Sequence, residues 1–338
     1  MKSYNMAVVG IGMVGTEMLK LLHERRFPAK SLRVFATRER DELIAGKTYH
    51  VEVATEESFQ DMDIAIFAGT EGAKGASQTY GWKAVEQGTV VIDNGDDYRM
   101  DPRVPLVIPE VNANHLKQHQ GFISNPNCST IQMVMVLGPL HRAAGLKRVV
   151  VSTYQAVSGT GKAAVEELRE QAPKALEGQA CEAKVYPHTI AFNCIPQVSS
   201  LKNEFPGYYG EEIKMIQEPR KILEIPNLPV SATCVRVPVF NAHSESINVE
   251  LHDKLTAEQA RKILSESPGI QVLDDPARSI YPTPREVSGK DPVYVGRIRE
   301  DSSVQYGLDL WVVSDNIRKG AALNTIQIAE RMIEMELL

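Results

Sequence analysis

A glycine-rich turn near the beginning of the chain constrains the fold more than any other feature. It has the form G-x-G-x-x-G at residues 10–15 and follows a short apolar run at 5–9. Apolar side chains then recur at helical spacing through 13–24. Such glycines permit a tight turn, close approach of a pyrophosphate and close helix–strand packing. The predicted cofactor contacts of this turn are Gly10, Gly12, Met13, Val14 and Gly15.

Short apolar runs alternate with helical patterns in the rest of the N-terminal part. Further strands are predicted at 32–36, 63–68, 89–92 and 104–108, and a helix at 74–87. Alternating strands and helices predict an α/β fold with a Rossmann-like, doubly wound parallel sheet.

The pattern changes after Asn127. A long apolar helix is predicted at 128–143, strands near 147–157, 232–240, 245–251 and 303–313, a long loop at 266–296 and a final helix at 318–335. We therefore expect two domains. The pattern predicts a nucleotide domain at 1–127, an α+β domain at 128–317 and a final helical segment within 318–338.

Composition excludes several classes of protein. The net charge of -6 argues against a nucleic-acid binder. No segment approaches the ~20 apolar residues of a membrane span. The four cysteines lack paired spacing, which predicts free thiols in a reducing cytoplasm.

The end of the second strand bears on the choice between NADP and NAD. A carboxylate there would bind the ribose diol, whereas arginine would bind a 2′-phosphate. Thr37 with Arg38 or Arg40 favours NADP, and Glu39 among them leaves NAD as the less favoured alternative.

One cysteine has the context of a nucleophile. Cys128 follows Asn125-Pro126-Asn127 and begins the apolar helix, where the helix dipole favours a thiolate. We interpret Cys181, Cys194 and Cys234 as small buried hydrophobic residues.

Two further segments carry polar side chains beside turns. Arg236 and His243 flank a short extended segment, and His243 is a candidate acid/base, although spacing alone would not choose it over His188 or His252. The stretch 154–161 joins a strand to a glycine turn. His115 and His119 lack a third ligand, so no metal site is predicted.

Together these segments resemble aspartate-semialdehyde dehydrogenases. The likeness covers nearly the whole chain, and its motifs are SNPNCSTIQMV, RVPVFNAHSESINVE, STYQAVSGTG, DNGDDYRMDPRVPLVIPEVN, GRIRED and SDNIRKGAALNTIQIAE. The resemblance implies reduction of L-aspartyl 4-phosphate to L-aspartate 4-semialdehyde by NADPH in lysine, threonine and methionine biosynthesis, diaminopimelate included. It also implies that 128–317 is the catalytic and dimerisation domain of a homodimer or a dimer of dimers. The last helix, within 318–338, would return to the nucleotide domain.

The resemblance also implies roles for individual residues. Cys128 would form a thioester, His243 would be the acid/base, and Gln155 would position the acyl group. Arg99 and Lys214 would bind phosphate. The residues expected to bind the substrate's carboxylate and amino groups are Arg236 and Glu211, with Glu212 the alternative by spacing. Those expected near the nicotinamide are Ser158, Gly159 and Asn316.

Four segments depart from the family's pattern. The glycine turn is one residue shorter, and a longer loop runs from Thr37 to Gly46. Before the phosphate-binding arginine, the chain reads Asp93-Asn94-Gly95-Asp96-Asp97 where the family often reads Asp-Asn-Ser-Ser. Pro219 is expected to shorten the helix that carries Glu211 and Lys214.

Other functions remain open at this point. One is an acyl-phosphate reductase for another substrate, such as N-acetyl-glutamyl phosphate, and a second is an acyl-CoA reductase. A third is a non-catalytic paralogue that serves as a binding or structural protein, although such a protein would not need Cys128, Gln155, Arg236 and His243 together.

Overall fold

The computed structural model describes residues 2–68 and 75–338. They form two compact units. The first comprises Met1–Asn127 with Ala321–Leu338, and the second comprises Cys128–Gly320. The chain thus re-enters the first unit at Ala321, whereas the sequence predicts that it does so at residue 318.

The first unit is built on a seven-stranded sheet of order β3-β4-β2-β1-β5-β6-β7. All neighbours pair in parallel except β3 and β4. The strands are β1 (Tyr4–Val9), β2 (Ala29–Ala36), β3 (Arg40–Ile44), β4 (Lys47–Val53), β5 (Ile64–Phe67), β6 (Val90–Asp93) and β7 (Phe122–Ser124).

Apolar clusters cover both faces of this sheet. On one face, Leu19 and Leu22 lie in the same buried cluster as Ile326 and Met332. A second cluster is rich in phenylalanine and includes Phe67. The helices of the unit are α1 (Met13–Glu24), α2 (Trp82–Glu86), α3 (Pro109–Asn112) and α9 (Leu323–Glu334). The predicted doubly wound α/β architecture is confirmed.

The second unit is an α+β layer around a six-stranded sheet of order β11-β12-β13-β10-β8-β9. Its strands are β8 (Leu146–Gln155), β9 (Val230–Arg236), β10 (His243–Leu251), β11 (Ile270–Val272), β12 (Val293–Asp301) and β13 (Gly307–Ser314). Its helices are α4 (Cys128–Ala144), α5 (Lys162–Leu176), α6 (Gly210–Ile222), α7 (Ala257–Ser265) and α8 (Pro284–Val287).

Helix α4 is the central packing element of this unit. It contacts β8, β10, β12 and β13 as well as α6 and α7. Nearly all of its side chains are buried, which explains why the sequence shows a continuous apolar run there and no polar face. The start of α4 is thereby fixed against the sheet.

Two sequence-based predictions in the first unit are wrong. Residues 104–108 form no strand, and only Leu106 makes a single bridge, to Ser124. Pro105 contributes to this, because proline has no N–H to donate to a ladder. The predicted loop from Thr37 to Gly46 contains β3, which pairs with β4 as an edge hairpin.

Other predicted elements have different extents. The loop at 266–296 contains β11, α8 and the start of β12. The helix at 74–87 is a π-helical turn at Ser77–Gly81 followed by α2, and Lys74 lies outside the described residues. A π-helical turn at Arg318–Ala322 likewise precedes α9.

Pro219 does not shorten its helix as predicted. Helix α6 continues to Ile222. Because Pro219 lies in the last turns, its missing N–H removes one backbone hydrogen bond near the end of α6, and the first turn with Glu211 and Lys214 is unaffected. Among the described residues, no helix has the length and apolar character needed to cross a bilayer.

Candidate active site

The glycine turn between β1 and α1 depends on two close backbone contacts. Gly10 has a φ of 94°, in the left-handed region. A Cβ on Gly15 would lie 1.9 Å from the carbonyl oxygen of Gly10, so only glycine fits. Gly12 precedes α1 without a side-chain cap, and a Cβ there would meet no atom of residues 2–68 and 75–338 within 4 Å. Within that part of the chain, the first N–H groups of α1, at Met13 and Val14, therefore have room beside them, which fits a pyrophosphate.

Thr37 and Arg38 directly follow β2 and are exposed. The Arg40 guanidinium donates to Glu42 at 2.7 Å, within the edge hairpin. The Glu39 carboxylate lies 3.5 Å from Nε2 of His50. Arg38 is thus the exposed cation at the end of β2, while Arg40 and Glu39 have partners in the hairpin.

Arg99 also belongs to the first unit. Its side chain is buried, and it donates from Nε to the carbonyl of Asn125 at 3.0 Å and from Nη2 to that of Asn94 at 2.7 Å. Asn125 in turn accepts a 2.7 Å hydrogen bond from Asn324. Backbone carbonyls therefore fix the guanidinium that the sequence assigns to phosphate. Lys214, its predicted companion, lies in the second unit.

Cys128 is the first residue of α4 and is half-buried. Gly320 lies against it, because a Cβ on Gly320 would lie 3.0 Å from the Cβ of Cys128. The thiol thus stands where the helix dipole favours a thiolate, and a glycine leaves room beside it.

All four cysteines are free thiols. The interpretation of the other three as buried residues holds only for Cys234, where burial, together with the charge of Glu211, raises the pKa of the thiol. Cys181 is half-buried and Cys194 is exposed, because both lie in the irregular segment between α5 and α6.

Gln155 and Glu211 form a buried pair. Nε2 of Gln155 donates to Glu211 at 2.9 Å, and Oε1 of Gln155 accepts from the Thr153 hydroxyl at 3.0 Å. The other Glu211 oxygen lies 3.8 Å from Nζ of Lys214, one helical turn along α6. Three of the predicted site residues are therefore close together.

Glu212 has a different environment. Its carboxylate accepts from the backbone N–H of Tyr209 at 2.9 Å and from that of Cys234 at 3.3 Å. These bonds cap α6 and attach it to β9. The geometry thus gives Glu212 a structural position and leaves Glu211 facing Gln155.

Arg236 and His243 meet around residues 156–159. Nη1 of Arg236 donates to the carbonyl of Ala156 at 2.7 Å, and the backbone N–H of Ala156 donates to Nδ1 of His243 at 3.0 Å. A Cβ on Gly159 would lie 3.1 Å from both Nη1 of Arg236 and Nε2 of His243. Burial, with the positive charge of Arg236, lowers the pKa of His243 well below its usual value.

Ser158 and Asn316 are hydrogen-bonded to each other. Nδ2 of Asn316 donates to the Ser158 hydroxyl at 2.9 Å, and that hydroxyl donates to Oδ1 of Asn241 at 2.9 Å. Oδ1 of Asn316 accepts from the backbone N–H of Ala242, next to His243. The residues that the sequence assigned to the nicotinamide thus border the group around His243.

The sequence did not single out four residues of this site. They are Thr153, Ala156, Asn241 and Gly320. Ala156 acts through its backbone and Gly320 through the absence of a side chain, so neither gives a pattern of its own.

Over 2–68 and 75–338, no group of three or more His, Cys, Asp or Glu residues could hold a metal ion.

Known family models match both parts of the chain. Residues 5–119 match "Semialdehyde dehydrogenase, NAD binding domain", and residues 137–319 match "Semialdehyde dehydrogenase, dimerisation domain". The aspartate-semialdehyde dehydrogenase of Aquifex aeolicus (strain VF5) is 47% identical over 346 residues, covering 99% of each chain. That of Bacillus subtilis (strain 168) is 43% identical, covering 100% of this chain and 99% of the relative.

Solved structures show the same likeness. Aspartate semialdehyde dehydrogenase II from Vibrio cholerae, complexed with ASA, has a TM-score of 0.93 at 41% identity, covering 99% of both chains. The enzyme of Candida albicans with NADP has a TM-score of 0.75 at 25% identity, covering 100% of both. The similarity therefore extends over both units.

Proposed function

This chain belongs to the aspartate-semialdehyde dehydrogenase family of oxidoreductases, and we propose that it reversibly reduces L-aspartyl 4-phosphate to L-aspartate 4-semialdehyde with NADPH, through a thioester on Cys128. The observation that carries this proposal is the position of Cys128 at the first residue of α4, in the same unit as the buried His243 and the Gln155–Glu211 pair.

Cys128 attacks the acyl carbon of the substrate, and the phosphate leaves with the electron pair of its C–O bond. The thioester divides one difficult reduction into two easier steps. The thioester carbon then accepts a hydride, and the C–S bond breaks to give the aldehyde and the thiolate. His243 acts as the acid/base, and Gln155 holds the acyl group.

The amino-acid end of the substrate requires a cation and an anion. Nε of Arg236 is buried and has no hydrogen-bond partner in the described part of the chain, so it can bind the α-carboxylate. Glu211 binds the amino group. Lys214 and Arg99 bind the transferable phosphate, for which two cations are suited.

The residues of the first unit fit a nicotinamide dinucleotide. Bound NADPH would supply the hydride in the reductive direction. Gly10, Gly12 and Gly15, with Met13 and Val14, bind the pyrophosphate, while Thr37 and Arg38 bind the 2′-phosphate. Ser158, Gly159 and Asn316 adjoin the nicotinamide. The NADP in the Candida albicans structure supports this assignment.

The cellular setting belongs to the same proposal. The product would feed lysine, threonine and methionine synthesis, and diaminopimelate synthesis with them. The four free thiols support a reducing cytoplasm. The family model of the second unit is named a dimerisation domain, which supports a homodimer or a dimer of dimers. Light scattering of the purified protein measures that state.

The decisive assay mixes the protein with aspartate semialdehyde, phosphate and NADP, and follows NADPH absorbance. We expect a phosphate-dependent rise that Cys128→Ala abolishes. Cys194→Ala, which removes an exposed thiol elsewhere, is the matched control and retains the rise. No rise from the folded protein with either NADP or NAD would contradict the proposal and favour another acyl substrate or a non-catalytic role.

A further inference from the structure

A glutamate and a glutamine are buried together between α4 and β10. Glu245 is the third residue of β10 and is 0% exposed, and Gln132 of α4 is 1% exposed. Neither the two carboxyl oxygens of Glu245 nor the amide oxygen and nitrogen of Gln132 have a hydrogen-bond partner among the described residues. Because buried polar atoms without partners are costly, this pair requires an explanation.

The two side chains can satisfy each other. The Gln132 amide adjoins the Glu245 carboxyl group, although no pair of their atoms has hydrogen-bond geometry in the orientation observed. The oxygen and nitrogen of a glutamine amide exchange places by a half-turn about the last side-chain bond. A neutral carboxylic acid and an amide then form two hydrogen bonds at once, since the acid O–H donates to the amide oxygen and the amide N–H donates to the acid carbonyl.

The surroundings favour the uncharged acid that such a pair needs. Burial raises the pKa of Glu245 well above its usual value, the adjoining amide opposes part of this shift, and the charge of Glu211 adds to it. Burial also lowers the pKa of His243, two residues earlier on β10, and raises that of the Cys234 thiol on β9, so neither supplies a positive charge. A carboxylate at this place would therefore be unpaired.

The strand partners of Glu245 carry no charge either. They are Val312 of β13 and Thr153 of β8. The Thr153 hydroxyl donates to Gln155, so its proton is already engaged. The amide on α4 is thus the neighbour that can donate to the acid and accept from it within the described part of the chain.

The pair lies next to two predicted site residues. Gln132 follows Cys128 by one turn on the same face of α4, and Glu245 follows His243 by two residues on the same face of β10. A link between residues 132 and 245 therefore fixes the position of α4 along β10, and with it the position of the nucleophile. A negative charge one turn from the thiol would also disfavour the thiolate.

We propose that Glu245, as a neutral carboxylic acid, and Gln132 form a reciprocal hydrogen-bonded pair in which Glu245 is a positioning residue for Cys128. This role rests on the proposed function for the reaction of Cys128. The pair touches no substrate and exchanges no proton during turnover. It links α4 to β10 inside the second unit and keeps negative charge away from the thiolate.

Infrared spectroscopy of the full-length protein tests the protonation of Glu245 directly. A protonated carboxyl group has a C=O stretch that a carboxylate lacks and that shifts in D₂O. At about pH 8, exposed carboxyl groups and Asp93 are ionised, so we expect this band in the wild type and its loss in Glu245→Gln. Identical spectra of the two proteins in this region would overturn the proposal. The readout needs no turnover, so it is independent of the assay for the proposed function.

Kinetics of substituted proteins test the positioning role. Glu245→Gln can still form a reciprocal pair between two amides, so we expect kcat within about twofold of the wild type. Glu245→Met removes the polar atoms at similar length and leaves Gln132 unpaired, so both the melting temperature and kcat should fall. We expect kcat to fall by about tenfold and KM to change by less than about twofold, because misplaced reacting groups slow the chemical step.

A double variant separates positioning from stability. In Gln132→Met/Glu245→Met no polar atom of the pair is left unpaired, so the melting temperature should recover while kcat stays low. Recovery of both quantities would show that the pair only stabilises the fold and would contradict the positioning role.

An exchange variant decides the question if the methionine variants fail to fold. Gln132→Glu/Glu245→Gln places the acid and the amide in each other's positions and preserves the pair. We expect kcat within about twofold of the wild type and a retained infrared band. A low kcat at wild-type stability would contradict the proposal.

Discussion

Gln155 donates a 2.9 Å hydrogen bond to Glu211, and both side chains are buried. The bond joins the last residue of β8 to the first turn of α6. A carboxylate is thereby held in the interior beside an amide and Lys214. That arrangement stabilises one orientation of each group, and under the proposed function the Glu211 carboxylate binds the ammonium group of the substrate.

Glu211→Gln should weaken substrate binding, whereas Glu212→Gln should lower stability. Gln at 211 can still accept from Gln155 but loses the charge, so we expect KM for aspartate semialdehyde to rise by about 10- to 100-fold with little change in stability. Gln at 212 weakens the cap of α6, so it should cost about 1 kcal/mol of unfolding free energy and change KM little. Steady-state kinetics and urea denaturation measure both. A larger KM effect at 212 would assign the substrate contact to that residue.

Gly12→Ala should separate cofactor binding from folding. Its Cβ would meet no atom of the described residues, so the melting temperature should stay near that of the wild type. The affinity for NADPH should fall by about tenfold or more, because the Cβ takes space that the pyrophosphate needs. Gly15→Ala would clash with Gly10 and should cost about 1–3 kcal/mol of stability. NADPH fluorescence titration and thermal unfolding compare the two. Unchanged NADPH affinity in Gly12→Ala would place the cofactor elsewhere.

Arg38→Ala should change the preference between cofactors. Loss of a charge-assisted contact to the 2′-phosphate should lower kcat/KM for NADP by about 10- to 100-fold, with kcat/KM for NAD within about twofold. Arg40→Ala is the matched control, because Arg40 is paired with Glu42. Equal losses with both nucleotides would mean that Arg38 does not contact the 2′-phosphate.

Gly320→Ala should lower activity much more than stability. Gly320 lies in a π-helical turn with a φ that alanine accepts, so the entropic gain offsets part of the strain from the new contact, and the unfolding free energy should change by no more than about 1 kcal/mol. Its Cβ would crowd Cys128 at 3.0 Å, and we expect kcat to fall by about tenfold. The semialdehyde assay and a melting curve report both quantities. Full activity at normal stability would show that the space beside Cys128 is not needed.

Asp93 should make stability depend on pH. Burial raises its pKa to about 6 in the folded protein, although Ser77 and Gly95 donate hydrogen bonds to it. The folded state therefore binds this proton more tightly than the unfolded state, and stability falls by about 2 kcal/mol as pH rises from about 4 to 6. In Asp93→Asn this component disappears, so urea denaturation should show the variant gaining relative to the wild type over that interval. A constant difference would contradict the raised pKa.

The sequence predicted correctly those elements of the fold that have a clear local pattern of apolar residues and glycines. Helix α1 was predicted with its observed bounds, since its apolar spacing begins directly after a glycine turn. Strand β3 was missed because an exposed edge strand with the sequence RDELI has no apolar run. The apolar run at 104–108 predicts a strand, although it contains Pro105. Because proline has no N–H to donate, the segment forms only a single bridge, between Leu106 and Ser124.

The site residues likewise divide into those that a sequence motif reveals and those that become evident only in the structure. Cys128 and the glycine turn could be predicted because a motif places them where strand meets helix. The choice of Glu211 rested on spacing, and its contact with Gln155 became visible only in three dimensions. Ala156 contributes a backbone N–H and Gly320 contributes space, and neither property is encoded by a side chain that a sequence pattern could reveal.

The core of the first unit includes Leu323, Ile326 and Met332 from α9, which the chain reaches only after the entire second unit. During synthesis, residues 321–338 leave the ribosome last among the parts of these two units. One face of the sheet in the first unit is therefore incompletely covered while Cys128–Gly320 is being synthesised. A nascent chain that ends before residue 321 therefore lacks part of the apolar core that supports the nucleotide site proposed for the first unit.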